Sequence, residues 1–371
     1  AELAAAVEDA DYLFLMFDTP VDENDNSDLT GIFAAVREAA TRLARDITVY
    51  VTAQLPFGTS AKLLKILRDG GATGATIAYS PENLQLGAAI ARFKSPPLPV
   101  IGTDDDATFD RLTKLLAPFS GNWQRCTLAT AEMLKHALNA FLAVNICFAN
   151  ELGNLCDALG ADGVRLAELL RLEPRVGPKA MLMPGLGFAG GTLARDMISL
   201  RSLGDKTGIE TLTLDGAWNS NKAQNTLVFR RLEALLSGVK GKRIAVLGLT
   251  YKADTSTLRR SAAMELMADL AAAGATVAAH DPMADPVEAS AHANFRPDPY
   301  DAVAGADAIV LMTPWKQYRE LDLAKLRGAM KGALLFDSAR LWKADAALDA
   351  GFTYVDIGRG RAPTANAETL A

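Results

Sequence analysis

The stretch Gly185-Leu-Gly-Phe-Ala-Gly-Gly-Thr-Leu-Ala-Arg-Asp196 contains G-x-G-x-x-G at Gly185, Gly187 and Gly190, the pattern of a dinucleotide-binding turn. Such a turn would open a nucleotide-binding sheet in the middle of the chain. The turn works when a strand ends in glycines that let N–H groups at a helix N-terminus approach a pyrophosphate. Lys179-Ala-Met-Leu-Met-Pro184 makes a poor strand, with no β-branched residue and a terminal proline. No acidic residue about 20 positions further on ends a second strand. The stretch is therefore expected to be a glycine-rich loop of another kind, and the sheets must lie on either side of it.

Upstream, apolar strands at Tyr12–Phe17, Ile47–Val51, Ala75–Ala78 and near Pro99–Ile101 alternate with helices starting near Ser27-Asp28, Ser60 and Asp105. Continuous apolar strands between amphipathic helices predict a parallel sheet covered on both faces. Downstream, a second such unit starts at Lys242–Gly248 and passes a helix at Ser261–Ala272. Its further strands are Thr276–Asp281, Ala308–Met312, Ala333–Asp337 and Thr353–Asp356. Between them lie a helix from Ala129 to Leu159, a shorter one around Val164–Leu170, and a helical region from Asp196 to about Ser237. Thirty residues of helix span ~45 Å, more than a small domain needs, so this helix is expected to join domains or build a dimer.

The fold class is thus α/β, with two Rossmann-like domains joined by a central helical domain with a long helix. The boundaries fall at 1–118, 119–225 and 226–371. The first Rossmann domain reads as N-terminally truncated, since no strand precedes Tyr12 to supply the first turn. Open apolar strand edges are costly, so a longer natural protein is expected. In the second domain, Val246-Leu-Gly248-Leu-Thr-Tyr-Lys252 follows a strand directly but has one glycine where a dinucleotide cradle has three. A phosphate contact and an ordinary βα turn both remain open there.

The chain has 371 residues, 50% hydrophobic and 22% charged, with a net charge of −6, long enough for two or three buried cores. Lys and Arg gather into no basic stripe, which argues against nucleic acid. Cys126, Cys147 and Cys156 form no C-x-x-C pair and only 3 His accompany them, suggesting neither disulfides nor a metal site. No apolar run reaches the ~18 residues that span a bilayer. A soluble, cytoplasmic protein without a membrane partner is expected.

Several blocks, in order along nearly the whole chain, resemble the UDP-glucose/GDP-mannose dehydrogenase family. Asp18-Thr19-Pro20 with Asp28-Leu29 is similar to the family's "PTP…D…DL", and Leu55-Pro56-Phe57-Gly58-Thr59 to "STVPPGT". Ser80-Pro81-Glu82-Asn-Leu84 with Gly87 resembles "NPEFLREG", and Ala131-Glu-Met-Leu-Lys135-His-Ala-Leu-Asn139 resembles "AEMxKxxxN". Arg175-Val-Gly177 followed by Gly187–Asp196 resembles "RIG…GFGGSCFPKD". Gly248–Lys252 with Thr255 and Leu258-Arg259-Arg-Ser261 resembles "GLAFKPxTDDxRES".

The resemblance implies NAD as cofactor, oxidation of C6 of a nucleotide sugar to a carboxylate, and a homodimer through the 129–159 helix. It implies that the opening loop touches substrate. As catalytic residues it implies Lys135, Asn139, Asp196, Glu82 and, in the place of the nucleophile, Thr192. Lys135 would stabilise charge on the reacting oxygen, Asn139 would hydrogen-bond the sugar, Asp196 would position or activate a water, and Glu82 would approach the sugar or that water. Thr19, Pro20, Gln54, Glu82 and Lys252 would face the cofactor. Glu82, Leu84, Lys135, Asn139, Arg175, Gly185, Phe188, Gly190, Lys252 and Arg259 would bind substrate.

Two chemical departures stand out. The family's thioester-forming Cys is Thr192 here, and a hydroxyl needs a dedicated base where a thiol is already partly ionised near neutrality. The family's Ser-Thr pair before "VPPG" is Ala53-Gln54. Three readings follow. The first is a nucleotide-sugar dehydrogenase that reaches the acid without a thioester or stops at the aldehyde. The second is an impaired paralogue that binds nucleotide sugar or a partner. The third is an oxidoreductase of the wider β-hydroxyacid dehydrogenase group, against which the second α/β lobe and Lys252 with Arg259 argue.

Overall fold

A computed structural model describes residues 7, 10–17, 19–22, 27–43, 46–81, 88–189 and 191–360. The chain divides into two compact units, one of residues 1–140 with 195–208, the other of residues 141–194 with 209–371.

The first unit holds a five-stranded sheet in the order β1 (Tyr12–Leu15), β2 (Thr48–Val51), β3 (Thr76–Tyr79), β4 (Val100–Gly102), β5 (Gln124–Cys126). All four residues of β2 are buried, as a strand covered on both faces requires. Val49 and Val51 pack with Ile32 and Val36 of helix Thr30–Ala40 and with Leu63 and Leu67 of helix Thr59–Asp69. Tyr50 and Ala78 pack on the other face against Leu112 of helix Asp106–Leu115. β1, β2 and β3 are parallel.

β4, however, runs antiparallel to β3, which corrects the expectation of a wholly parallel sheet. The reversal is pinned where Gly102 passes the start of the long helix, since a Cβ there would lie 2.2 Å from that of Ala131. The Thr103 hydroxyl also donates to the Ile77 carbonyl at 3.0 Å.

The second unit holds six parallel strands in the order β8 (Asn294–Phe295), β7 (Thr276–His280), β6 (Arg243–Leu247), β9 (Ala308–Leu311), β10 (Leu334–Asp337), β11 (Thr353–Asp356). The chain winds outward from β6 to one side and then returns to wind outward from β9, the doubly wound order whose switch point lies between β6 and β9.

The long helix spans Leu128–Leu159, 32 residues or ~48 Å. Lys179–Pro184 forms no strand. The next helix, Gly191–Thr207, starts before Asp196, so Asp196 lies in its second turn and not at its N-terminus.

Candidate active site

Glu132, Lys135, His136 and Asn139 recur at helical spacing on the long helix, so they share one face. That face is buried, with these four side chains between 2% and 6% exposed. Polar groups removed from water need partners. Glu132 accepts from the backbone N–H of Gly58 at 2.7 Å and of Ser60 at 2.8 Å. It thereby caps helix Thr59–Asp69, whose preceding Gly58 is left-handed at φ +81°, and ties the turn after β2 to the long helix. That tie delivers Gln54 to the site.

Asp196 is fully buried. The Gln54 amide donates to its two oxygens at 2.8 and 2.9 Å, His136 Nδ1 lies 2.7 Å from Oδ1, and the Asn139 amide donates to Oδ2. Both Asp196 oxygens are thus engaged, and because an ionised carboxylate can only accept, with Asp196 ionised the proton of the Asp196–His136 contact is carried by Nδ1. Gln54 is fixed in turn, because Arg195 donates to its side-chain oxygen and the Thr19 hydroxyl donates to its carbonyl at 2.8 Å. Among the described residues, His136 Nε2 is buried and has no hydrogen-bond partner. Gln54, Phe57, His136, Arg195, Ser199 and Lys206 line a cavity of about 230 Å³ beside this cluster.

In the second unit, side-chain amides clamp the opening loop. Gly185 N–H donates to Asn150 at 2.8 Å and its carbonyl accepts from Gln224 at 2.6 Å. Asn221 accepts from Phe188 N–H at 2.7 Å and donates to the Phe188 carbonyl at 3.1 Å. A Cβ on Gly187 would lie 2.3 Å from Asn225 Oδ1 and 2.6 Å from Asn221 Oδ1. This glycine serves close approach to helix Leu212–Asn225. Phe188, Trp218, Lys222, Asn225, Arg260 and Glu265 line a cavity of about 460 Å³, in which burial raises the Glu265 carboxyl.

After β6, Gly248 turns at φ +82°, and a Cβ would lie 2.4 Å from the Thr313 carbonyl. Asp281 accepts from Leu249 N–H at 2.7 Å, Thr250 N–H at 3.1 Å and Trp315 Nε1 at 3.0 Å. The backbone amides that such a turn offers to a phosphate are therefore taken by the chain's own carboxylate.

Of the expected site residues, Thr19, Gln54, Asn139 and Asp196 are joined by hydrogen bonds, with Lys135 buried one turn before Asn139. Pro20 is exposed and its carbonyl accepts from Asp28 N–H at 2.7 Å. Arg175 is exposed in a 2.7 Å pair with Glu173, Thr192 is exposed in the first turn of its helix, and Arg259 is exposed. Lys252 Nζ lies 5.6 Å from the Tyr251 ring centre. Glu82, Leu84 and Gly190 lie outside the described residues.

All three cysteines are free. Burial, aided by Glu151, pushes the Cys147 thiol up to about 11 and burial also raises Cys126 and Cys156, so none is poised as a thiolate. The sequence reading passed over His136, Arg195 and Glu132. The helical spacing that paired Lys135 with Asn139 places His136 three residues before Asn139, and that signal could have found it.

Sequence models of the UDP-glucose/GDP-mannose dehydrogenase family match residues 1–120 (NAD binding domain), 129–223 (central domain) and 245–344 (UDP binding domain). The chain is 32% identical to a UDP-glucose 6-dehydrogenase of Pseudomonas aeruginosa, covering 98% of this chain and 83% of the relative. It is 34% identical to one of Rhizobium meliloti, covering 96% and 84%. Its fold matches a solved UDP-glucose dehydrogenase from Pyrobaculum islandicum with TM-score 0.84 and 28% identity, covering 98% and 82%.

Proposed function

The chain belongs to the UDP-glucose/GDP-mannose dehydrogenase family, whose cofactor is NAD, and from that premise we propose that it oxidises C6 of a nucleotide sugar of the UDP-glucose type. The observation that carries the reading is the buried cluster of Asn139 and Asp196 with Lys135 one turn away. Burying this much polarity is costly, and an arranged cationic and amide pair suits an oxygen that gains negative charge. Lys135 would stabilise that oxygen and Asn139 would hold the sugar.

The cofactor fit rests on the loops at the carboxyl ends of β1 and β2, where open α/β sheets bind ligands. Thr19 and Gln54 are joined there at 2.8 Å, and Phe57 lines the adjoining cavity. They suit the nicotinamide side of NAD, which when bound supplies the hydride acceptor. The neighbouring helix N-terminus is satisfied by Glu132 and leaves no amide cradle for phosphate.

With Thr192 in the nucleophile's place, the mechanism departs from a thioester route. The chain either oxidises a hydrated aldehyde or releases the aldehyde. The organisation that accompanies this reading has domains at 1–118, 119–225 and 226–371 and a role in polysaccharide biosynthesis in the cytoplasm. It also has a homodimer through the long helix, supported by the exposed Phe141, Phe148, Leu155 and Leu159 on it. Among the described residues no helix is long and apolar enough to cross a membrane.

A second reading, an impaired paralogue that binds nucleotide sugar or a partner, is favoured by one observation, the full engagement of Asp196. Incubation with NAD+ and a panel of nucleotide sugars, counting NADH per sugar and weighing the product, separates the two. Two NADH with a uronate, or one NADH with an aldehyde, supports oxidation. Sugar binding without NADH from any member of the panel supports the second reading.

A further inference from the structure

We propose that the proton acceptor of this site is Nε2 of His136, with Asp196 as the residue that positions it. The inference rests on the C6-oxidation reading above.

Asp196 is poorly arranged to take a proton. It is fully buried, and its two oxygens face three nitrogen atoms, Gln54 Nε2, His136 Nδ1 and Asn139 Nδ2, so a proton on either oxygen would be set against one of them. His136 is arranged for it. Its Nδ1 proton is spent on Asp196, which fixes the tautomer and leaves the lone pair on Nε2. Among the described residues that atom is buried without a hydrogen-bond partner, and the ring lines the cavity beside the cluster. A carboxylate behind Nδ1 both orients an imidazole and stabilises the imidazolium that forms.

The charged groups around the ring complete the arrangement. Asp196 faces Nδ1, Arg195 stands behind Gln54, and Lys206 lines the same cavity. Glu132, one turn earlier on the helix, has its oxygens given to the Gly58 and Ser60 amides, and Lys135 precedes His136 in sequence. In the step itself the O–H bond at C6 breaks and its proton goes to Nε2. The C6–H electron pair leaves as hydride to NAD+, and carbon and oxygen become doubly bonded. The products are aldehyde, NADH and an imidazolium paired with the Asp196 carboxylate.

The test compares wild type with His136→Asn, whose amide can still donate to Asp196 but cannot accept a proton. The variant is expected to bind nucleotide sugar as wild type does and to lose about 100-fold or more in kcat. The acid-side fall of kcat/KM in wild type is expected to disappear with it. A slower variant that keeps the wild-type acid limb overturns the proposal, because a merely structural histidine would leave that limb in place.

A second measurement needs no turnover. The chain has 3 His, so ¹⁵N-histidine spectra are assignable by subtracting the variant. His136 in the free protein is expected as the Nδ1–H tautomer, with Nε2 unprotonated, and with that preference lost in Asp196→Asn. An Nε2–H tautomer overturns the proposal even if the enzyme is active. Absence of NADH from wild type with every sugar overturns the C6 reading and the catalytic step together, whatever the tautomer.

Discussion

Both oxygens of Asp196 are engaged by nitrogen atoms of its own chain, and this sets the residue-scale chemistry. Its partners Gln54 and His136 hold it in place, so the group that moves protons has to be found beside it. Thr192 poses the complementary question. A hydroxyl lacks the partial ionisation of a thiol, and Thr192→Cys is expected to raise the second oxidation, moving NADH per sugar toward two. No change in that ratio would mean the loop around it has diverged as well. A stability prediction belongs at Gly248, where φ is +82° and a Cβ would meet Thr313. Gly248→Ala is expected to cost roughly 2–5 kcal/mol, read from urea unfolding, and an unchanged midpoint would refute it.

At this scale the sequence revealed what lies on one element. Lys135 and Asn139 could be paired because four residues is one helical turn. The partnership of His136 with Asp196 spans 60 positions, and no local spacing announces it.

Among the elements, the long helix carries the most testable surface. Phe141, Phe148 and Leu155 recur every seven residues and are between 49% and 64% exposed, a stripe that a second helix would cover. Phe148→Glu is expected to convert a dimer to a monomer in light scattering without loss of helix content, and a dimer that survives it would place the interface elsewhere. This helix was legible because its periodicity runs unbroken. The direction of β4 was not, since it depends on the packing of Gly102 against Ala131 and on the Thr103 bond to Ile77. The start of the helix at Gly191 was also missed, because two glycines in a row read as loop.

For the whole molecule, alternating apolar strands and helices foretold two α/β sheets with a helical stretch between them in sequence, while the strand order of the second sheet is seen only in the structure. What such patterns could not convey is that Asp281 fills the turn after β6 from another strand's end.

The second sheet also carries a pH dependence. Burial depresses the pKa of His280 below 6.5, partly opposed by Asp281 and Asp298. The unfolded chain therefore binds that proton first, so the stability His280 contributes is present above 6.5 and is lost as pH falls toward its folded value. Urea unfolding on either side of 6.5 should show this loss in wild type and a smaller one in His280→Gln. Equal losses would refute it.

In the proposed reaction, hydride leaves C6 of a nucleotide sugar. Its most direct measurement uses the sugar dideuterated at C6, with UDP-glucose first, and reads the mass of the NADH formed. Each NADH is expected to carry one deuterium, with slower turnover wherever hydride transfer limits the rate. Unlabelled NADH, or deuterium retained in full on the sugar carbon after NADH has formed, would contradict it.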